Sequence, residues 1–513
     1  MPYSPDSKFI NHKSKNHRSL FTSLRFGTFA GSDIAVRLHP VDVVIIAVYL
    51  VCITLFGLRF RKSQRSLRDY FLADRNIPWW AIGLSIVAAE TSTLTIIGTP
   101  AIAYGGNFGF LQLVFGYLLG RIIICILFIP QYFRGEMFTA YQLIDRRFGK
   151  VLHRVTAAVF LLLRSAAEGV RVWAVSIVVL TAFHISDVWA VAIIMLLTLI
   201  YTFEGGLAAV IWTDVIQMVI YVGGTLIGFI MLLHLVPGGW PAIHAAAASA
   251  GKLRVFDFSF DFFQTYTFWA GVIGGMFLNT ASHGTDQLMV QRLLAARGER
   301  ESKLALLSSG VVILAQFTLF LLVGAGLWVF YGLHPQEAHF TKLDYAFPTF
   351  IVEHMPRGIS GVLIAAILAA AMSNLSAALN SLSSTTMVDF YLRWRPETSD
   401  RRRMALSRIA TVAWGVVLFG LGLASRRGGK VLEAGLTISS VAYGGLLGVF
   451  LLGLLSRRAK QTGAIIGMLC GLALNTYLWG WTKVPFTWYV TLGALATFCI
   501  GYVASLMEPD THG

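Results

Sequence analysis

Eight ionisable residues stand inside stretches that are otherwise apolar: Glu90, Arg121, Arg164, Glu168, Arg171, Glu204, Asp214 and Asp286. A charge at membrane depth costs a few kcal/mol and faces a cavity or a partner, so such residues mark ion and solute pathways. Arg164, Glu168 and Arg171 follow at i, i+4 and i+7, which puts them on one helical stripe suited to internal ion pairing. Glu204, followed by Gly205-Gly206, reads as a structural residue in a tight turn. Asp286, with Arg292 close behind it, reads as one half of an interfacial salt bridge. Asp214 has no basic neighbour within a turn, which makes it the stronger ion-pathway candidate.

Two uncharged segments suggest cation chemistry. In AIGLSIVAAETSTLTIIGTPAIAYGG, residues 88 to 93 are small and polar, and Gly98-Thr99-Pro100 weakens the helix from the other side, because proline removes a backbone bond and disfavours helix before it. A broken helix frees carbonyls that can coordinate a cation where they line a cavity. The plainer alternative is a proline kink with Ser and Thr bonded back to the helix. The second segment, GVLIAAILAAAMSNLSAALNSLSSTTMVDFY, carries Ser373, Asn374, Ser376, Asn380, Ser381, Ser383 and Ser384. Small hydroxyl residues also serve as helix-packing glue. Beside a broken helix, however, neutral hydroxyls and carbonyls suit sodium, since they replace its water without a proton step. A proton pathway would favour a row of carboxylates or histidines.

These segments belong to a chain of 513 residues, 56% hydrophobic and 13% charged, against roughly 25% charged for a soluble domain. A water-soluble enzyme is excluded. Apolar windows fall at 41–58, 80–104, 108–131, 155–183, 186–203, 207–235, 267–289, 304–331, 357–391, 406–424, 431–455, 463–480 and 486–506. At about 20 residues per crossing, this predicts an all-α polytopic membrane protein with 13 transmembrane helices in one domain, 39–506. Lys and Arg concentrate in alternate gaps beginning with the first. The positive-inside rule puts those gaps in the cytoplasm, the N-terminus outside and the tail 507–513 inside, in a plasma (inner) membrane. The stretch 1–38 fits poorly: it is polar and basic, sits on the wrong side for its charge and lacks a signal peptide's apolar core. The expectation is a natural start further along.

The net charge of +15 lies in the gaps between apolar runs and not on one water-exposed face, which argues against nucleic acid. Cys52, Cys125, Cys470 and Cys499 lie in apolar runs without pairing or metal spacing and read as reduced packing residues. No HExxH, GxSxG or Walker motif is present, so neither an enzyme nor a membrane sensor is expected, and no organic cofactor.

The segments DYFLADRNIPWWAIGLS (69–85), FTAYQLIDRRFG (138–149), YTFEGGLAAVIWTDVIQ (201–217), DQLMVQRLLAA (286–296) and LAAAMSNLSAALNSLSSTTMVDFY (368–391) resemble the sodium/solute symporter family, which includes sodium/glucose, sodium/proline, sodium/pantothenate and sodium/monocarboxylate cotransporters. The resemblance implies a LeuT-like fold: two five-helix inverted repeats, about 80–235 and 267–455, with broken first and sixth core helices and alternating access around a midplane site. It implies a sodium site formed by the carbonyls of Ala88, Thr91 and Ala370 and the side chains of Ser373 and Asn374. The family usually has Ser or Thr where Asn374 stands, and an amide oxygen can also ligate sodium. A second ion site would use Asp214, Ser373, Ser376 and a hydroxyl where this chain has Ala377, so one coupled sodium is favoured.

Solute-facing positions carry over as Glu90, Gln112, Asn279 and Ser282. Ser282-His283 replaces the sugar carriers' aromatic pair, and Leu436 falls where they use Gln. A hexose is therefore disfavoured. Other stretches look closer to the monocarboxylate and pantothenate branch, although Glu90 would repel an anion unless protonated or paired. The resemblance thus implies sodium-coupled import of a small polar organic solute, with proton coupling on the same fold as the alternative.

Overall fold

The computed structural model describes residues 38–63, 66–183, 187–425 and 431–508. The expectations for 1–37 and for the tail beyond 508 lie outside these residues. The fold is all-helical, and among the described residues there is no strand, only an isolated bridge between Ile77 and Ala296. The principal helices are α1 (Pro40–Leu58), α2 (Trp79–Glu90), α3 (Thr93–Gly105), α4 (Leu111–Ile123), α5 (Lys150–Phe183), α6 (Asp187–Leu235), α7 (Phe268–Gly284), α8 (Gln287–Leu294), α9 (Glu299–Leu333), α10 (Ile359–Thr385), α11 (Asp400–Ala424), α12 (Val431–Leu455), α13 (Gln461–Trp481) and α14 (Phe486–Met507).

Among the described residues, nine helices are long and apolar enough to cross a membrane, or ten when α2 and α3 count as one bent crossing. The windows 186–203 and 207–235 join in α6, which kinks at Gly206 (φ 55°), a conformation that favours glycine. The kink keeps Glu204 at a corner, bonded to Arg61 at 3.2 Å and Arg408 at 3.4 Å.

Two interruptions matter for function. Helix α2 stops at Glu90; Thr91 (φ −92°, ψ 113°) and Ser92 (φ −113°, ψ 174°) are extended, and α3 leaves at a bend of 63°. The second break, between α7 and α8, falls at Thr285-Asp286, where the Asp286 carboxylate accepts from Leu288 N at 2.9 Å and caps α8. Pro100 does not break its helix: α3 runs through it to Gly105.

Helix α10 is buried on every side from Leu363 to Thr385, which explains a helix with hydroxyls all round. Most of these bond locally, Ser376 to the carbonyl of Ser373 and Ser381 to that of Ala378. Asp42 at the start of α1 holds the entry to α10, its carboxylate accepting from Gly358 N at 2.7 Å and Gly361 N at 2.9 Å. Helices α4 and α7 meet backbone to backbone: a Cβ on Gly116 would lie 2.8 Å from the Gly275 Cα, and one on Gly120 would lie 2.9 Å from the Asn279 Cβ. Small residues at such seams are what bring membrane helices into close contact.

This seam sets the positions of Arg121 and His283. Gly116→Val is expected to lower the thermal midpoint of purified protein, at a cost on the order of 1–3 kcal/mol. Gly480→Val, where a Cβ meets nothing within 4 Å, is expected to leave it unchanged. Equal midpoints for the two variants would contradict the close seam.

Candidate functional site

The last carbonyls of a helix have no partner within it, and α2 ends deep in the protein. Thr91 N closes onto Val87 O at 2.9 Å, while the carbonyls of Ala88 and Thr91 turn towards α10. There the Asn374 Nδ2 donates to Thr91 O at 2.8 Å and to Ala88 O at 3.4 Å. The Asn374 Oδ1 accepts from Arg171 Nη1 at 2.8 Å. This orientation is dictated by chemistry: turned round, the amide would set oxygen against two carbonyls and an NH2 group against a guanidinium. Ser373, the next residue, donates to Asp214 Oδ1 at 2.7 Å. Ala88, Thr91 and Asn374 are therefore brought together, while the hydroxyl of adjacent Ser373 is turned to Asp214 and Ala370 lies one turn earlier on the same buried helix.

Asp214 has a basic partner after all. Its Oδ2 accepts from Arg292 Nη2 at 2.9 Å and from Ser85 at 2.5 Å, and Arg292 also donates to Ser85 Oγ and Leu288 O, each at 2.8 Å. Arg292 thus pairs with Asp214 across 78 residues and not with nearby Asp286. Asp286 instead accepts from Tyr443 at 2.6 Å and Arg164 at 3.3 Å. Ser376 bonds to its own helix and makes no bond to Asp214.

A cavity opens beside the α2–α3 break, lined among others by Glu90, Ser92, Thr95, Arg164, Arg171, Ser282, His283 and Tyr443. Glu90 does not offer it a bare charge, since it is bonded to Arg121, and His283 Nε2 lies 3.4 Å away. Arg121 donates further to Ser309 at 3.2 Å. The predicted pairing along α5 is present, Arg164 at 2.5 Å and Arg171 at 2.7 Å from one oxygen of Glu168. Both arginines nevertheless line the cavity, a role their spacing alone does not reveal. Arg171 is the most exposed of the three arginines here, at 22% against 5% for Arg164 and 1% for Arg121.

Two of the expected solute-facing residues lie elsewhere. Asn279, with its amide oriented to satisfy its neighbours, donates to Tyr117 O at 3.1 Å and accepts from Arg121 Nη1 at 3.0 Å; it braces Arg121 from behind. Gln112 is consumed by backbone, donating to Gly109 O and Tyr266 O, each at 3.1 Å, and accepting from Asp257 N at 3.0 Å. It fastens the segment before α7. Leu436 lines the cavity, with Phe110 and Phe317 adding apolar wall.

A helix broken at depth, its carbonyls facing a buried hydroxyl-rich helix beside a charged cavity, defines a membrane transporter. The chain belongs to the Sodium:solute symporter family, whose profile matches residues 70–471. It is 29% identical to the sodium/sialic acid symporter SiaT of Proteus mirabilis, over 90% of this chain and 94% of that protein. It is 31% identical to the sodium-dependent multivitamin transporter of Oryctolagus cuniculus, over 85% of this chain and 70% of the other. Its fold matches the substrate-bound outward-open structure of a Na+-coupled sialic acid symporter with a TM-score of 0.83 at 27% identity, covering 92% of this chain and 98% of the other.

Removing one member of a buried ion pair costs about 3–5 kcal/mol, because the other charge is left unmatched. Arg292→Met is expected to lower the unfolding midpoint sharply, and adding Asp214→Asn to recover a large part of the loss. Additive effects would show that the pair is not coupled. Gln112→Leu should speed proteolysis between Lys252 and Thr267 without weakening solute binding, whereas loss of solute affinity with unaltered proteolysis would return Gln112 to the binding site.

Proposed function

We propose that this protein is a sodium-coupled symporter that imports a small organic acid by alternating access. The observation that carries the reading is the convergence of the Ala88 and Thr91 carbonyls on Asn374, the neighbour of Ser373, directly beside the Glu90–Arg171 cavity. On this reading sodium binds to the carbonyls of Ala88, Thr91 and Ala370 and the oxygens of Ser373 and Asn374. The solute binds alongside, with Glu90 and Ser282 on one wall and Arg164 and Arg171 facing its anionic group. Support for an acid comes from those two arginines and from the bond between Glu90 and Arg121, which removes the repulsion an unpaired carboxylate would exert. A carrier named for sialic acid, similar over nine-tenths of this chain, agrees with it.

The same reading takes the thirteen apolar windows as thirteen crossings in an inner membrane, with the N-terminus outside and the C-terminus in the cytoplasm. The two breaks then stand at corresponding points of inverted repeats spanning about 80–235 and 267–455. Two ligands that favour one shared conformation are thermodynamically coupled, which is what sodium and solute require of each other. Proton coupling has less support, since Glu90 and Asp214 are each bonded to an arginine.

Reconstituted in proteoliposomes, the protein should take up an organic acid faster under an inward sodium gradient. Equal uptake in choline buffer without a pH gradient would reject the reading. Ser373→Ala should raise the sodium concentration for half-maximal uptake about tenfold, equivalent to roughly 1.4 kcal/mol, and change solute affinity little at saturating sodium. Unchanged sodium dependence would remove Ser373 from the site.

A further inference from the structure

We infer that Asn374 is a two-position switch through which Arg171 controls the cation site, so that sodium binds readily only after Arg171 has been drawn into the solute cavity. This rests on the proposed use of the Ala88–Thr91 carbonyls as the sodium site.

The two ends of the Asn374 amide are chemically opposite, and each is committed. Its NH2 group donates to the carbonyls at 2.8 and 3.4 Å, and its oxygen is held by Arg171 at 2.8 Å. A cation cannot share those carbonyls with an NH2 group pointing at them. It needs the amide reversed, with Oδ1 joining the two carbonyl oxygens. Reversal, however, turns the NH2 group towards Arg171, where donor meets donor. Arg171 must therefore leave when sodium enters, and its guanidinium, one amide away, opposes a second positive charge for as long as it stays.

Arg171 has somewhere to go. It lines the solute cavity and is the most exposed of the arginines there. Its departure does not strand Glu168, which keeps Arg164 at 2.5 Å. An anionic group in the cavity receives Arg171, frees Oδ1 and removes the repulsion in one movement. The solute's anion and sodium thus select the same position of one amide, and by linkage each tightens the other's binding equally.

The test needs no identified solute. Sodium chloride is titrated into the purified full-length protein, with choline chloride holding ionic strength, and the thermal midpoint is followed. Arg171→Met, which keeps the apolar stem and removes the donor, should lower the sodium concentration for half-saturation at least threefold. Asn374→Ser, whose hydroxyl rotates without displacing Arg171, should do the same, and adding Arg171→Met to it should change nothing more. Equal half-saturation in wild type and both single variants overturns the switch while leaving the sodium site standing. If no variant responds to sodium, the proposed site itself fails, and the switch with it. Should Arg171→Met not be recovered folded, the comparison of Asn374→Ser with wild type decides the matter alone.

Discussion

Inside a bilayer a backbone carbonyl that leaves its helix finds no water, and every such group must be satisfied within the protein. The break at Thr91-Ser92 creates that demand at the centre of the molecule, and much of the surrounding architecture answers it. Asn374 supplies the donor, α10 holds Asn374 in place, and α10 is itself enclosed so that no solvent competes. The same demand makes the site useful, because a group that satisfies two carbonyls by hydrogen bonding can be exchanged for one that does so by charge.

Buried charge is handled by pairing, twice across distant elements and once within α5. Glu90 meets Arg121, Asp214 meets Arg292, and Glu168 is shared by Arg164 and Arg171. Burying an ion is affordable only when its partner and remaining hydrogen bonds are supplied, and each of these carboxylates receives at least two donors or a guanidinium. The groups around Asp214 and around Glu168 differ in one respect. Asp214 and Arg292 are closed off by Ser85 and Ser373, whereas Arg171 faces a cavity. The first is enclosed by hydroxyls, and the second borders open space.

Long helices and the first break are legible in the letters because they follow from local composition. Apolar windows mark the long helices, and the AETST run loses helix propensity and frees backbone. Pro100 misleads because a helix hemmed in by neighbours survives one missing bond; Gly324 lies against the Pro100 backbone. The pairing of Asp214 with Arg292 could not be read, since nothing in sequence separation points to a partner 78 residues away. The same is true of Gln112, whose three bonds are to backbone whose fold is unknown beforehand. Asn374 stood out as unusual, yet its meaning lies in which end of the amide faces the carbonyls, and one letter does not encode that.

The clasp between Asp42 and the two amides at Gly358 and Gly361 has a mechanical implication. Together with the packing of α1 on α10, it couples the least buried apolar helix to the most buried polar one, so a rocking motion of the bundle would carry α1 with it. The lateral pressure and thickness of the surrounding lipid would then act as a load on the innermost helix, and the transport rate would depend on acyl-chain length.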